Sequence, residues 1–202
     1  MKTNFEGLEI DTTPNVYEPL EDSFLLARLV RECARGKVLD VGTGSGLQAI
    51  VAAKNKEVSQ VLALDLNPEA LEVAAGNAKK NGVSEKMQVR KSDLFSALSK
   101  DEVFDCIIFN PPYLPTAEDE KLQREINLAF DGGPDGRKEI DRFLEGFGWH
   151  LSRNGLLLLV QSSLADENKT LAILQSAGFD ARVVSEEKFF FERILAIRAE
   201  RK

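Results

Sequence analysis

Two apolar runs, VFDCIIFN (103–110) and LLLLVQS (156–162), constrain the fold of this chain more than any other feature. A strand with one wet face alternates apolar and polar residues. These runs do not alternate, so both faces of each strand must be covered. They belong to a longer alternation of strand-like and helix-like stretches that begins at residue 37. KVLDV (37–41), SQVLALDL (59–66) and KMQVRKSD (86–93) are the earlier strands. Between strands, GLQAIVAAKN (46–55), NPEALEVAAGNAKKNG (67–82), EIDRFLEGFGWHLSRNG (139–155) and ADENKTLAILQSAGF (165–179) carry helical spacing. Pro68 suits a first turn, and Gly82, Gly155 and Gly178 are expected helix stops. DARVVSEEKFFFERILAIRAE (180–200) follows as two strands with a short break. The alternation predicts a doubly wound α/β fold: a mostly parallel sheet with helices on both faces. Ligands of such sheets bind at the carboxyl ends of the strands, near the topological switch point. Asp40, Asp65 and Asn110 all fall at such ends.

A chain of 202 residues can bury one full core, so one domain spanning 1–202 is expected. No apolar run approaches the ~20 residues that cross a bilayer. MKTNFEGLEIDTTPN lacks the apolar stretch of a signal peptide, so a cytoplasmic protein without membrane contact is expected. Cys33 and Cys106 lie in separate elements and His150 is the single histidine, so no metal-ligand set can be assembled. The formal net charge of −7 argues against a broad nucleic-acid face, although a local basic patch would be compatible with it.

The first strand runs into D40-V-G-T-G-S-G46. Gly42 and Gly44 allow a tight turn and close approach of backbone to a ligand, and Gly46 leads into the helix. The spacing is not the G-x-G-x-x-G of dinucleotide sites, and the acid two residues ahead of Gly42 suits a cationic ligand better than a pyrophosphate. Asp65 ends the second strand, where a carboxylate can accept both hydroxyls of a ribose. Asp93-Leu94 follows the third; Asp93 can accept an adenine amino hydrogen and Leu94 can pack on the ring. Each acid alone could equally be a helix cap or a solvated loop residue.

The fourth strand ends in N110-P-P-Y113. An amide or aryl amine nitrogen is a poor nucleophile because its lone pair is delocalised. The Asn110 side-chain oxygen can accept one of its hydrogens and the Pro111 carbonyl the other, aiming the nitrogen. Pro111 and Pro112 fix the backbone, and Tyr113 can lie against the flat face of a planar group. With D40-V-G-T-G-S-G46 and Asp65, this tetrapeptide resembles class I S-adenosylmethionine-dependent methyltransferases that act on planar nitrogen. That resemblance implies S-adenosylmethionine as cofactor and a seven-stranded Rossmann-like sheet whose last strand is antiparallel.

Two further stretches, V16-Y-E-P-L-E-D-S-F-L-L26 and F130-D-G-G-P-D-G-R-K-E-I-D-R-F143, resemble the HemK-type release-factor glutamine methyltransferases. The resemblance implies that 1–36 packs over the cofactor site, with Ser23 as a cofactor-contacting hydroxyl, and that the glycine loop at 130–137 lies beside the substrate. Read without it, 16–26 is the start of an amphipathic helix capped by Asp22 or Ser23. The catalytic pattern begins almost at the first residue, which resembles the short archaeal and eukaryotic branch. There the substrate is the glutamine of the Gly-Gly-Gln loop in a class I release factor. The resemblance also implies a small zinc-ribbon activator subunit that forms a heterodimer along 86–91; those residues alone read equally as an ordinary solvent-facing edge strand. Asp40 stands where that branch often has Glu. A methyltransferase for adenine N6 or guanine N2 in RNA or DNA would use the same 110–113 motif; a non-catalytic cofactor-binding subunit is the other alternative, and the intact Asn110-Pro-Pro-Tyr113 set speaks against it. Lysine methylation is also reported in the family.

Overall fold

The computed structural model describes residues 1–115 and 132–202. The elements in chain order are β1 (Lys2–Phe5), β2 (Leu8–Asp11), α1 (Glu21–Cys33), β3 (Gly36–Val41), α2 (Leu47–Lys54), β4 (Val58–Asp65), α3 (Pro68–Lys80), β5 (Met87–Lys91) and β6 (Phe104–Phe109). After the segment 116–131 come α4 (Lys138–His150), β7 (Leu151–Ser162), a 3-10 turn (Ser163–Ala165), α5 (Glu167–Ser176), β8 (Phe179–Lys188) and β9 (Arg193–Arg201). Seven strands form one sheet, as expected, and their order is β5-β4-β3-β6-β7-β9-β8. β5, β4, β3, β6 and β7 run parallel, and β9 is antiparallel to both of its neighbours, β7 and β8.

The apolar runs do what their composition predicts. Cys106, Ile107 and Ile108 on β6 and Leu156 to Val160 on β7 are completely buried, at the centre of the sheet. Full burial of each such aliphatic side chain is worth roughly 1.5–3 kcal/mol, so these two strands anchor the fold. α3 starts where the sequence places it. The Asn67 side chain accepts from the Glu69 N–H at 2.9 Å, Pro68 occupies the first turn, and Lys79 and Lys80 face the negative end of the helix dipole.

Two local expectations are corrected. Gly155 does not stop α4, which ends at His150 and passes directly into β7. Phe104 pairs with Leu151 but Cys106 pairs with Leu156, so β7 is bulged there. Gly155 sits in that bulge because a Cβ would meet the Leu151 side chain at 2.7 Å. Neither Asp22 nor Ser23 caps α1, whose N-cap position is Leu20 with no side-chain bond. Both side chains are used elsewhere, as shown below. The antiparallel hairpin β1–β2 was not foreseen. Its signal is short: four-residue arms around Glu6-Gly7, both at positive φ, as a tight hairpin turn requires. The hairpin docks on α3, where Asn77 takes the Asp11 N–H at 2.9 Å and donates to the Asp11 carbonyl at 2.8 Å.

Candidate active site

A cavity of about 410 Å³ opens at the carboxyl ends of β3, β4 and β6. Its walls include Ser23, Gly42, Gly44, Asp65, Asp93, Leu94, Asn110, Pro111, Pro112 and Tyr113, ten of the eleven residues singled out from sequence. They arrive from five separate stretches of chain because parallel strands all finish at one edge of the sheet. The size is that of a site for one small organic molecule.

Asp40 is the exception. It is 1% exposed and lies beneath the glycine loop, outside the cavity lining. One of its oxygens accepts from the Thr43 hydroxyl at 2.6 Å and the Ala49 N–H at 3.2 Å. In this position it holds the loop and the start of α2 from beneath, whereas the sequence reading expects it to face the ligand. Burial pushes its carboxyl up to about 7, with the two hydrogen bonds working against that rise.

Asp65 is half-buried. It accepts from the Gly44 N–H at 2.8 Å and the Asn67 N–H at 2.9 Å, which fixes its plane and leaves lone pairs facing the cavity. Desolvation raises its pKa, and these backbone donors oppose the rise. Asp93 is exposed at the rim, and both its oxygens are held by the Arg142 guanidinium at 2.8 and 2.9 Å. Arg142 sits on α4 and was not expected. One guanidinium nitrogen donates to both Asp93 oxygens while the other is held by Glu139; this orients the carboxylate but occupies part of the acceptor capacity that an adenine amino group would use. Leu94 adopts a left-handed φ of 45°, turning the chain under the cavity. Ser23 gives its proton to Asp22 at 3.2 Å, so toward any ligand its hydroxyl is an acceptor.

Asn110 is the most informative residue. Its amide nitrogen donates to Asp22 Oδ2 at 2.9 Å and to Ser23 Oγ at 3.3 Å. A carboxylate only accepts, so Asp22 fixes which end of the amide faces it. The opposite end, Oδ1, is buried and has no hydrogen-bond partner among the described residues. A buried acceptor without a partner costs roughly 1–3 kcal/mol. Such a group at the mouth of a cavity is a binding feature in waiting. Tyr17 donates to Asp22 Oδ1 at 3.0 Å. Desolvation first, then the Asp22 charge, pushes the Tyr113 phenol far above its ordinary value, so it stays protonated and cannot act as a base. Gln48 Oε1 is another buried acceptor on the wall with no partner among the described residues, its NH2 being tied to the Ser23 carbonyl at 2.9 Å.

Behind Tyr113 lies the described part of the glycine loop. A Cβ on Gly136 would stand 2.3 Å from the Tyr113 carbonyl oxygen, and one on Gly132 2.7 Å from that of Leu114. Residues 132–137 therefore press against the back of the 110–113 segment. Residues 130 and 131 of the expected substrate loop lie outside the described residues. Arg137, 3% exposed, locks this loop through Asp141, the Ala165 and Asp166 carbonyls and Thr170. The sequence reading includes Arg137 in the loop at 130–137 but gives it no role of its own.

Residues 16–129 match the methyltransferase small domain family. A Methanocaldococcus jannaschii protein, whose name proposes a protein N5-glutamine methyltransferase, is 40% identical over 98% of both chains. The chain belongs to the protein N5-glutamine methyltransferase family. A release factor glutamine methyltransferase from Gloeobacter violaceus is 33% identical over 77% of this chain and 57% of its own length, so the chain spans little more than half of that relative. Among solved structures, the E. cuniculi Mtq2-Trm112 complex, described as methylating the eRF1 translation termination factor, superposes with a TM-score of 0.71. It is 28% identical, covering 93% of this chain and 99% of that one. As members of this family are methyltransferases, the paired acids and glycine loop at the cavity fit a methyl-donor site.

Proposed function

We propose that this chain, acting as one methyltransferase domain over 1–202, is an S-adenosylmethionine-dependent enzyme. In this reading it methylates the side-chain amide of the glutamine in the Gly-Gly-Gln loop of a class I release factor. The observation that carries the reading is the unpartnered Asn110 Oδ1. It is an acceptor placed to take one N–H of a planar amide, with the Pro111 carbonyl taking the other. Donation from the Asn110 NH2 to the Asp22 carboxylate polarises the Asn110 amide and makes Oδ1 a stronger acceptor. As the substrate nitrogen gains positive charge, Oδ1 and the Asp22 charge behind it stabilise that charge. Tyr113 covers the face of the amide and excludes water.

The residues present fit S-adenosylmethionine, which would supply an electrophilic methyl group on a sulfonium. Asp65 would accept the ribose hydroxyls. Gln48 Oε1, buried and unpartnered, suits the ammonium, and Asp93 and Leu94 would hold the adenine. Removing the Asp65 carboxylate deletes charged hydrogen bonds worth roughly 1.5–3 kcal/mol. Asp65→Ala is therefore expected to weaken S-adenosylmethionine binding by about ten- to a hundredfold in calorimetry. An unchanged affinity in a folded variant removes Asp65 from the ribose site. The test of the function itself is transfer of labelled methyl to the release factor, with its glutamine changed to alanine as control.

A small zinc-ribbon partner, in a heterodimer, belongs to the same reading. Among the described residues β5 pairs with β4 alone, so it is a sheet edge there. The Val61 N–H donates to the Lys86 carbonyl at 2.7 Å. The alternation of a parallel ladder then turns the Val89 N–H away from β4. Strand addition would satisfy that edge. Val89→Pro removes an outward donor while sparing the bonds to β4. It is expected to abolish co-elution with the zinc-ribbon protein and leave cofactor affinity unchanged. Intact co-elution would rule out docking along β5.

A further inference from the structure

At the far edge of the sheet the β8–β9 hairpin ends in Phe189, Phe190 and Phe191, which are 44%, 92% and 86% exposed. The last two rings meet edge to face at 4.6 Å and form one apolar knob. Three consecutive exposed phenylalanines are costly in water and mark interaction sites rather than ordinary surface. The knob is held firmly. The Phe189 N–H closes the turn onto the Glu192 carbonyl at 2.8 Å. Glu192 accepts from Ser162, and Arg193 is paired with Glu167 and Glu186.

Topology decides which face the knob serves. β9 is antiparallel to β7 and to β8, so β8 runs with the parallel strands and its tip emerges at their carboxyl ends. That is the end carrying Asn110. At the root of the knob Glu192 accepts from the Ser162 hydroxyl and the Arg193 N–H donates to Ser163, which ties the hairpin to the carboxyl end of β7. β5 is six strand spacings away, ~29 Å at ~4.8 Å each, so a partner along β5 belongs to the opposite edge. Lys188 and Arg193 beside the rings are offset by Glu186, Glu187 and Glu192, so the tip lacks the basic cluster that an anionic membrane surface would bind.

We infer that Phe190 and Phe191 form a docking knob for the folded protein substrate, seated in an apolar depression on the domain that carries the methylated glutamine. The inference rests on the release-factor reading. Aromatic anchors at such positions carry a large share of binding energy. They act on substrate capture, because they touch neither cofactor nor the reacting nitrogen.

The test compares wild type with F190S/F191S on two substrates: intact release factor and a short free peptide bearing its glutamine loop. The rings are exposed, so the fold does not depend on them. The expected result is a KM for intact release factor raised about tenfold or more, at unchanged kcat. Kinetics on the peptide, S-adenosylmethionine affinity and elution volume stay as in wild type, and F190L/F191L recovers most of the loss. An unchanged KM for the intact protein overturns the inference, as does an equal loss on the peptide. So does a wild-type dimer that the double variant converts to monomer, since the knob's occupant would then be a second copy. A wild-type chain that leaves release factor unmethylated overturns the substrate reading and this inference together. A wild type that methylates it as fast as the variant does overturns the inference alone.

Discussion

Asn110→Ala is expected to lower methyl transfer by roughly a thousandfold or more while S-adenosylmethionine affinity changes little. The side chain has two halves with separate duties. Its NH2 is spent on Asp22 and Ser23, and its oxygen has no partner among the described residues. Alanine removes the oxygen that would hold and polarise the substrate amide as charge develops, so the loss falls on the transition state. It also leaves the Asp22 carboxylate without its charge-assisted donor, which adds to the loss. Single-turnover transfer from labelled S-adenosylmethionine, beside calorimetry of cofactor binding, measures both halves. A folded variant retaining half the wild-type rate would remove Asn110 from the chemistry.

Much of this architecture is legible in the sequence because it rests on periodicity and on strand ends. Continuous apolar runs at 103–109 and 156–160 identify doubly covered strands, and a parallel sheet then brings Asp65, Asp93 and Asn110 to one edge whatever the loops do. What stays hidden is pairing across long sequence separation. Asp22 meets Asn110 across 88 residues, and Arg142 meets Asp93 across 49. Neither contact leaves a local signature, and a carboxylate at a helix start reads first as a cap. Depth is hidden too. Asp40 and Asp65 look alike as acids at strand ends, yet one is sealed under the glycine loop while the other faces the cavity. Gly155 misleads for a third reason: the glycine relieves a steric conflict in a strand bulge rather than a helix end.

Asp22→Ala tests the contact that sequence reading missed, and its expected effect is second only to that of Asn110→Ala. The Asp22 carboxylate is 5% exposed and gathers the Asn110 amide, the Ser23 hydroxyl and the Tyr17 phenol. Among the described residues these donors surround the carboxylate, so hydrogen bonds offset the cost of burying its charge. Removing it leaves Asn110 with only the longer bond to Ser23 Oγ at 3.3 Å. The amide then loses its polarisation and can turn over, setting its own NH2 against the NH2 of the substrate. A fall in kcat on the order of a hundredfold is expected, with a smaller change in cofactor affinity. Asp22→Asn separates geometry from charge. Its amide oxygen can still accept from Asn110, but the negative charge behind the developing positive nitrogen is gone, so its rate should lie between alanine and wild type. Full activity in Asp22→Ala would show that Asn110 needs no anchor. Equal rates for Asp22→Asn and wild type would show that the anchor works by shape alone, with no part for its charge.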